Sequence, residues 1–183
     1  DAAAGGLSNF TEAINDDAPN GTVLVASLTA TNDATNVDLA LSPKGTGALT
    51  SHIATNDTAG GNKRGANAVD FQNLRGAATQ VASGTKSVAI GTGCTASASD
   101  SIAIGRSCAA TSASNTTAIG QSSTATGSIS LALGYTNTAG ASGAAVGRNN
   151  SASSGQAFGY SNNAGNGIAI GVGNTSSVNG STF

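Results

Sequence analysis

Seven times between residues 87 and 171 the chain repeats one short phrase that ends in glycine. The copies are SVAIG (87–91), SIAIG (101–105), TTAIG (116–120), SLALG (130–134), GAAVG (143–147), GQAFG (155–159) and GIAIG (167–171). The closing glycines, Gly91, Gly105, Gly120, Gly134, Gly147, Gly159 and Gly171, are 14, 15, 14, 13, 12 and 12 residues apart. Three residues after them stand Cys94, Cys108, Ser123, Asn137, Asn150, Asn162 and Asn174; five residues after them stand Ala96, Ala110, Ala125, Ala139, Ala152, Ala164 and Ser176. Each unit therefore reads as a short strand, a glycine turn, a second short segment of small residues and a return loop. A 12–15-residue period is too short for a helix-containing repeat or a propeller blade. It suits one coil of a parallel β-solenoid, with neighbouring coils about 4.8 Å apart. The expected fold class is all-β.

Composition limits the function. Only 9% of the 183 residues are charged and 3% aromatic; there is one His, His52, and one Glu, Glu12. Acid–base chemistry lacks its titratable groups, so no enzyme, no catalytic residue and no cofactor are expected. Disordered chains of low hydrophobicity usually carry high net charge or many Pro. Here the net charge is −2, there are 2 Pro, and Val and Ile recur regularly. No run of about 18 apolar residues encodes a transmembrane span. No basic and apolar leader opens the chain, and the lack of Met suggests a processed product or an excised fragment. Neither nucleic-acid binding nor membrane insertion is expected.

A single coil cannot stand alone. The expected inward residues are Ile90, Ile104, Ile119, Leu133, Val146, Phe158 and Ile170, with the alanines beside them. The strand's other face is expected to carry Val88, Ile102, Leu131 and Ile168. Apolar residues on both faces call for a partner outside, and three copies around a threefold axis would cover that second face. Those four residues are the expected trimer interface.

The pattern S-[VI]-A-I-G-x-x-x-x-A, over roughly residues 84–178, closely resembles the head repeats of YadA-like trimeric adhesins. The resemblance implies a left-handed parallel β-roll of about seven coils, three chains to a trimer. Thr117, Ala144 and Gln156 depart from it where the family has an outer aliphatic residue, so those coils should pack least tightly against their neighbours. No neck motif or heptad stalk follows Gly171, and no membrane-anchor barrel is encoded in these residues.

The first half differs. Residues 1–20 read as a short helical or extended lead-in, GTVLVASLTA (21–30) as a strand, and 36–54 as strand, Pro-Lys-Gly turn and strand. The combination LSPKGTGAL…GGNKRGANAVDFQ…ATQVASG, over about residues 37–84, is similar to a segment of bacteriophage tail-fibre and tailspike proteins. The organisation expected is a β-rich attachment or connector region, 1–83, followed by the β-roll, 84–183. The resemblances together imply a structural and adhesive segment of a trimeric phage tail fibre, located on the virion. Other tail or fibre proteins would then meet its N-terminal side, and a host-surface glycan or protein would be its target. The alternatives are the head of a bacterial trimeric autotransporter adhesin at the cell surface and a polysaccharide-depolymerising tailspike.

Other constellations carry less. GTGCTA (91–96) and GTGALT (45–50) lack the following helix that a dinucleotide loop needs. His52 has no partner for a metal or a triad, and no metal site is expected. Asp33, Asp38, Asp57 and Asp70 are scattered, with nothing to favour a glycosidase-type pair. Sequons at Asn9, Asn20 and Asn115 are expected by accident in such a composition. The Thr positions do not recur from coil to coil, which argues against an ice-binding face. Cys94 and Cys108 fall at equivalent positions of adjacent coils, within disulfide range, but in-register neighbours on parallel strands lack a suitable geometry and free thiols are expected. Asn137, Asn150, Asn162 and Asn174 should form a ladder of stacked amides.

One stripe has the character of a recognition surface. The residue after each closing glycine reads Thr92, Arg106, Gln121, Tyr135, Arg148, Tyr160, Val172. Stacking would bring Tyr135, Arg148 and Tyr160 into one outward column, a platform for sugars or other polar polymers; the plainer reading is that they stack for stability. With Arg106 they are the candidate receptor contacts. Beyond Asp100 the chain has no acidic residue, so its C-terminal part is mildly cationic and would favour anionic glycans.

Overall fold

The computed structural model describes residues 10–15, 25–30, 41–177 and 181–182. Two compact units make up the chain, Asp1–Ser42 and Pro43–Phe183. In the first, β1 (Phe10–Asn15) and β2 (Val25–Ala30) form an antiparallel pair in which Phe10 faces Ala30 and Asn15 faces Val25. The rest of residues 1–40 and the sequons at Asn9 and Asn20 lie outside the described residues, as do Asp33 and Asp38.

The second unit is a parallel β-solenoid. It opens with β3 (Leu49–Thr50) and β4 (Val69–Leu74). Seven long strands then alternate with seven two-residue strands: β5 (Val88–Thr92), β6 (Thr95–Ala96), β7 (Ile102–Arg106), β8 (Ala109–Ala110), β9 (Thr117–Gln121), β10 (Thr124–Ala125), β11 (Leu131–Tyr135), β12 (Thr138–Ala139), β13 (Ala144–Arg148), β14 (Ser151–Ala152), β15 (Gln156–Tyr160), β16 (Asn163–Ala164), β17 (Ile168–Val172) and β18 (Thr175–Ser176). β19 (Ser181–Thr182) adds a last pairing to β17. The long strands form a ten-stranded sheet in the order β19-β17-β15-β13-β11-β9-β7-β5-β4-β3, and the short ones a second sheet from β18 to β6. From β5 onward every coil pairs in register with the next: Val88 lies beside Ile102, Ala89 beside Ala103, Gly91 beside Gly105.

Two expectations change here. The compact units divide between Ser42 and Pro43. The segment reading as a connector already stacks on the coils, with Val69 beside Val88 and Leu49 beside Val69. The strand after the Pro-Lys-Gly turn joins β4 in parallel, because its partner is a later coil and not the segment before the turn. The interior also differs. Ala89, Ala103, Ala118, Ala132, Ala145, Ala157 and Ala169 are fully buried, whereas Ile90 and Leu133, expected inside, are 36% and 38% exposed. Successive strand residues alternate sides, so Val88 and Ile90 share the outer face and Ala89 alone points in. From the opposite sheet Ala96, Ala110, Ala125, Ala139, Ala152 and Ala164 join these methyls in one buried cluster.

The closing glycines all have positive φ, from 113° to 125°. At Gly120 a Cβ would run into the carbonyl oxygen and backbone of Gly134 in the next coil. Both the conformation and the close approach require glycine there.

Candidate surface site

The residue after the closing glycine ends each long strand and, at Arg106, Tyr135, Arg148 and Tyr160, is exposed to solvent. Pairing places Arg106 beside Gln121, Gln121 beside Tyr135, Tyr135 beside Arg148 and Arg148 beside Tyr160. The Arg148 guanidinium carbon sits 5.5 Å from the Tyr135 ring centroid and 5.3 Å from that of Tyr160. The cation is thus held between two aromatic rings, each contact a cation–π attraction. The tyrosines remain 44% and 42% exposed. Arg106 lies on the same stripe three strand steps away, about 14 Å at the usual spacing, and is not part of the stack.

Two further outward columns flank the stripe on the ten-stranded sheet. Val69, Val88, Ile102, Thr117, Leu131, Ala144, Gln156 and Ile168 form one; Phe71, Ile90, Ile104, Ile119, Leu133, Val146, Phe158 and Ile170 form the other. The four residues Val88, Ile102, Leu131 and Ile168 are half-buried in the single chain. The second column, assigned inward from the sequence, widens the apolar face to two residues in every coil except those of Thr117 and Gln156.

Inside, the amide ladder is built differently from stacked amides. Asn137 Nδ2 donates to the Leu133 carbonyl of its own coil and to the Gly147 carbonyl of the next, both at 2.7 Å. Its Oδ1 accepts the backbone N–H of Asn150 at 2.9 Å. Asn150 repeats this toward Val146, Gly159 and the N–H of Asn162, and Asn162 toward Phe158, Gly171 and the N–H of Asn174. The amides therefore bridge backbone to backbone. In earlier coils Ser123 Oγ donates to the Gly134 carbonyl, Cys108 Sγ to that of Gly120 and Cys94 Sγ to that of Gly105. Both thiols are free and buried. Their mutual hydrogen bond, followed by burial, pushes the Cys108 thiol up.

The segment without an evident role in the sequence supplies a buried ionic cluster. Asp70, on β4, is fully buried. Its carboxylate accepts from Arg64 Nε at 2.5 Å, from Arg75 at 3.2 Å and from Gln72 Nε2 at 3.0 Å. Arg64 also donates to the Gly60 and Asn62 carbonyls, and Arg75 to those of Ala59 and Gln80. Gln72 joins this cluster to the ladder, its Oε1 accepting the Cys94 N–H at 2.6 Å. The signal that could have revealed the cluster is the sequence itself: Lys63, Arg64, Asp70 and Arg75 concentrate charge in one short stretch of a chain poor in it.

Asp57 closes a surface turn instead. The Thr55 hydroxyl, then the Gly60 N–H, hold its carboxyl below the usual value. His52 meets Ser51 Oγ at 3.0 Å. Among the described residues no three His, Cys, Asp or Glu side chains lie close enough to hold a metal.

Two stretches, residues 82–107 and 112–137, match the model of the YadA head domain repeat. No curated protein and no solved structure matches the chain. The chain thus contains two YadA head domain repeats within an all-β parallel solenoid of about seven turns.

Proposed function

We propose that this chain is a structural and adhesive segment of a homotrimeric fibre on an extracellular surface, with no enzymatic activity. The observation that carries the reading is the pair of apolar columns along the outer face of the ten-stranded sheet. Val88, Ile90, Ile102, Ile104, Leu131 and Leu133 line one sheet face in two aligned outward columns, an apolar surface of the kind that marks an interaction site. The YadA head repeats support a threefold partner of the same kind. Light scattering should find trimers at micromolar concentration. Ile102→Asp should prevent assembly by placing an unpaired charge in a dry interface; a stable folded monomer of the unaltered protein would overturn the reading.

Within it we place the segment in a phage tail fibre, attached to the virion through its N-terminal side and contributing to contact with the host through the stripe of Arg106, Tyr135, Arg148 and Tyr160. The likeness of residues 37–84 to tail-fibre proteins supports this setting; the repeat match supports the head of a bacterial trimeric adhesin equally. Antibody labelling of intact virions and of whole bacteria separates the two. Incubation with capsular polysaccharide, with sizing of the products, tests for depolymerase activity, and unshortened chains are expected.

A further inference from the structure

The stripe on the solenoid has a chemistry of its own. Arg148 lies between the Tyr135 and Tyr160 rings and remains exposed to solvent. Its N–H edge carries up to five donors in a rigid fork. Among the described residues no side-chain hydrogen bond or ion pair engages it, and the only carboxylate that pairs with arginine is Asp70, inside the solenoid. The two tyrosine hydroxyls beside it are equally without a partner. No acidic residue follows Asp100 in the sequence, and the remaining cation of this stripe, Arg106, lies about 14 Å along the same column. Both arginines are therefore uncompensated on one column, with the Gln121 amide and the Tyr135 hydroxyl between them and the Tyr160 hydroxyl beyond Arg148.

We propose that this column binds an acidic polysaccharide. Its carboxylate or sulfate groups take the Arg148 fork and Arg106, and its hydroxyls meet the Tyr135 and Tyr160 hydroxyls and the Gln121 amide. The proposal rests on the adhesive reading above and gives it a ligand class. A planar fork favours a planar or tetrahedral oxyanion bound through two parallel N–H···O bonds. The ring faces are turned toward the guanidinium, so the sugar is held by its polar groups and not by stacking. Three stripes per trimer add avidity to weak single contacts.

The test is equilibrium binding of the intact protein to a polyuronate, a sulfated dextran, neutral dextran and polyglutamate, with light scattering on the same samples. Binding to the polyuronate or the sulfated dextran, and not to neutral dextran, is expected; which of the two binds tells carboxylate from sulfate. Arg148→Gln should weaken it about tenfold or more with melting temperature and oligomeric state unchanged, and Arg148→Lys, which keeps the charge and loses the fork, should recover little of that. Should Arg148→Gln fail to fold, Tyr135→Phe with Tyr160→Phe keeps the rings, removes both hydroxyls and should weaken binding severalfold. Binding of neutral dextran or polyglutamate as tightly as the acidic glycans, or wild-type affinity in the folded variants, would overturn the proposal. A monomer that binds would leave the ligand class standing and remove the trimer; a trimer that binds no polymer would do the reverse.

Discussion

Between Ala59 and Gln80 the interior of the solenoid holds two guanidiniums and a carboxylate; from Ala89 onward it holds alanine methyls and a column of small polar side chains. One continuous sheet runs through both regions. In the repeated coils each backbone group finds its partner on an identical coil above or below, and short side chains complete the account. The first turns have irregular loops whose carbonyls, at Ala59, Gly60, Asn62 and Gln80, have no such neighbour, and long arginine side chains reach them instead. Asp70 makes this possible by neutralising part of the charge. Regular stacking needs only small residues, while its irregular beginning needs large, charged and individually placed ones.

The comparison breaks most severely on the coil side. Gly120→Val would drive a branched side chain into the Gly134 backbone at a φ of 120°, and no folded protein is expected by circular dichroism. Gly173→Ala, at a φ of 70° with nothing within 4 Å of a Cβ, should cost about 1 kcal/mol in chemical unfolding; equal effects at the two sites would contradict the register. On the other side, Asp70→Asn leaves two buried arginines facing a neutral amide and should cost about 3–5 kcal/mol. A loss below about 1 kcal/mol would mean that the arginine-to-carbonyl bonds hold the first turns unaided.

Asn150→Ala removes two donated bonds and one accepted bond from the ladder, with an expected cost of about 2–3 kcal/mol. Ser123→Asn should instead gain about 0.5–1.5 kcal/mol by extending the same three-bond pattern one coil earlier. A destabilised Ser123→Asn would show that the longer early coils cannot seat the amide. The smallest effect concerns Asp57. Its folded value lies below the ordinary 3.8, so the stabilisation it gives the 55–61 turn is present above that pH and lost as the pH falls through the folded value. Amide exchange at Gly60 should quicken over that acid range, and Asp57→Asn should abolish the pH dependence.

Much of this was legible in the chain. The repeat gave the coil number, the in-register columns and the Tyr135–Arg148–Tyr160 neighbourhood, because equivalent residues 12–15 apart become nearest neighbours once coils stack. A consistent period-two reading also puts Val88 and Ile90 on one face; taking the larger residue as the inner one hid this, since bulk usually marks a core and here the long strands turn alanine inward. The position two places after each closing glycine is left-handed in all seven coils; glycine marks it at Gly93 and Gly173, but at Ser107, Ser122, Thr136, Asn149 and Ser161, with φ of 53–55°, it left no stronger mark than being small and polar.

Sequence alone determined the period, and through it the parallel stacking, the glycine positions and the content of every column, because each depends only on spacing and on residue type. The tertiary structure decided what spacing does not encode. It set the width of the interior, which turned the isoleucines outward, and it decided that the asparagines bond to backbone and not to each other. It also brought Arg64, Asp70 and Arg75 to one carboxylate. Those outcomes depend on the distance between the two sheets and on the path of loops that never repeat, and both are fixed only when the whole solenoid is closed.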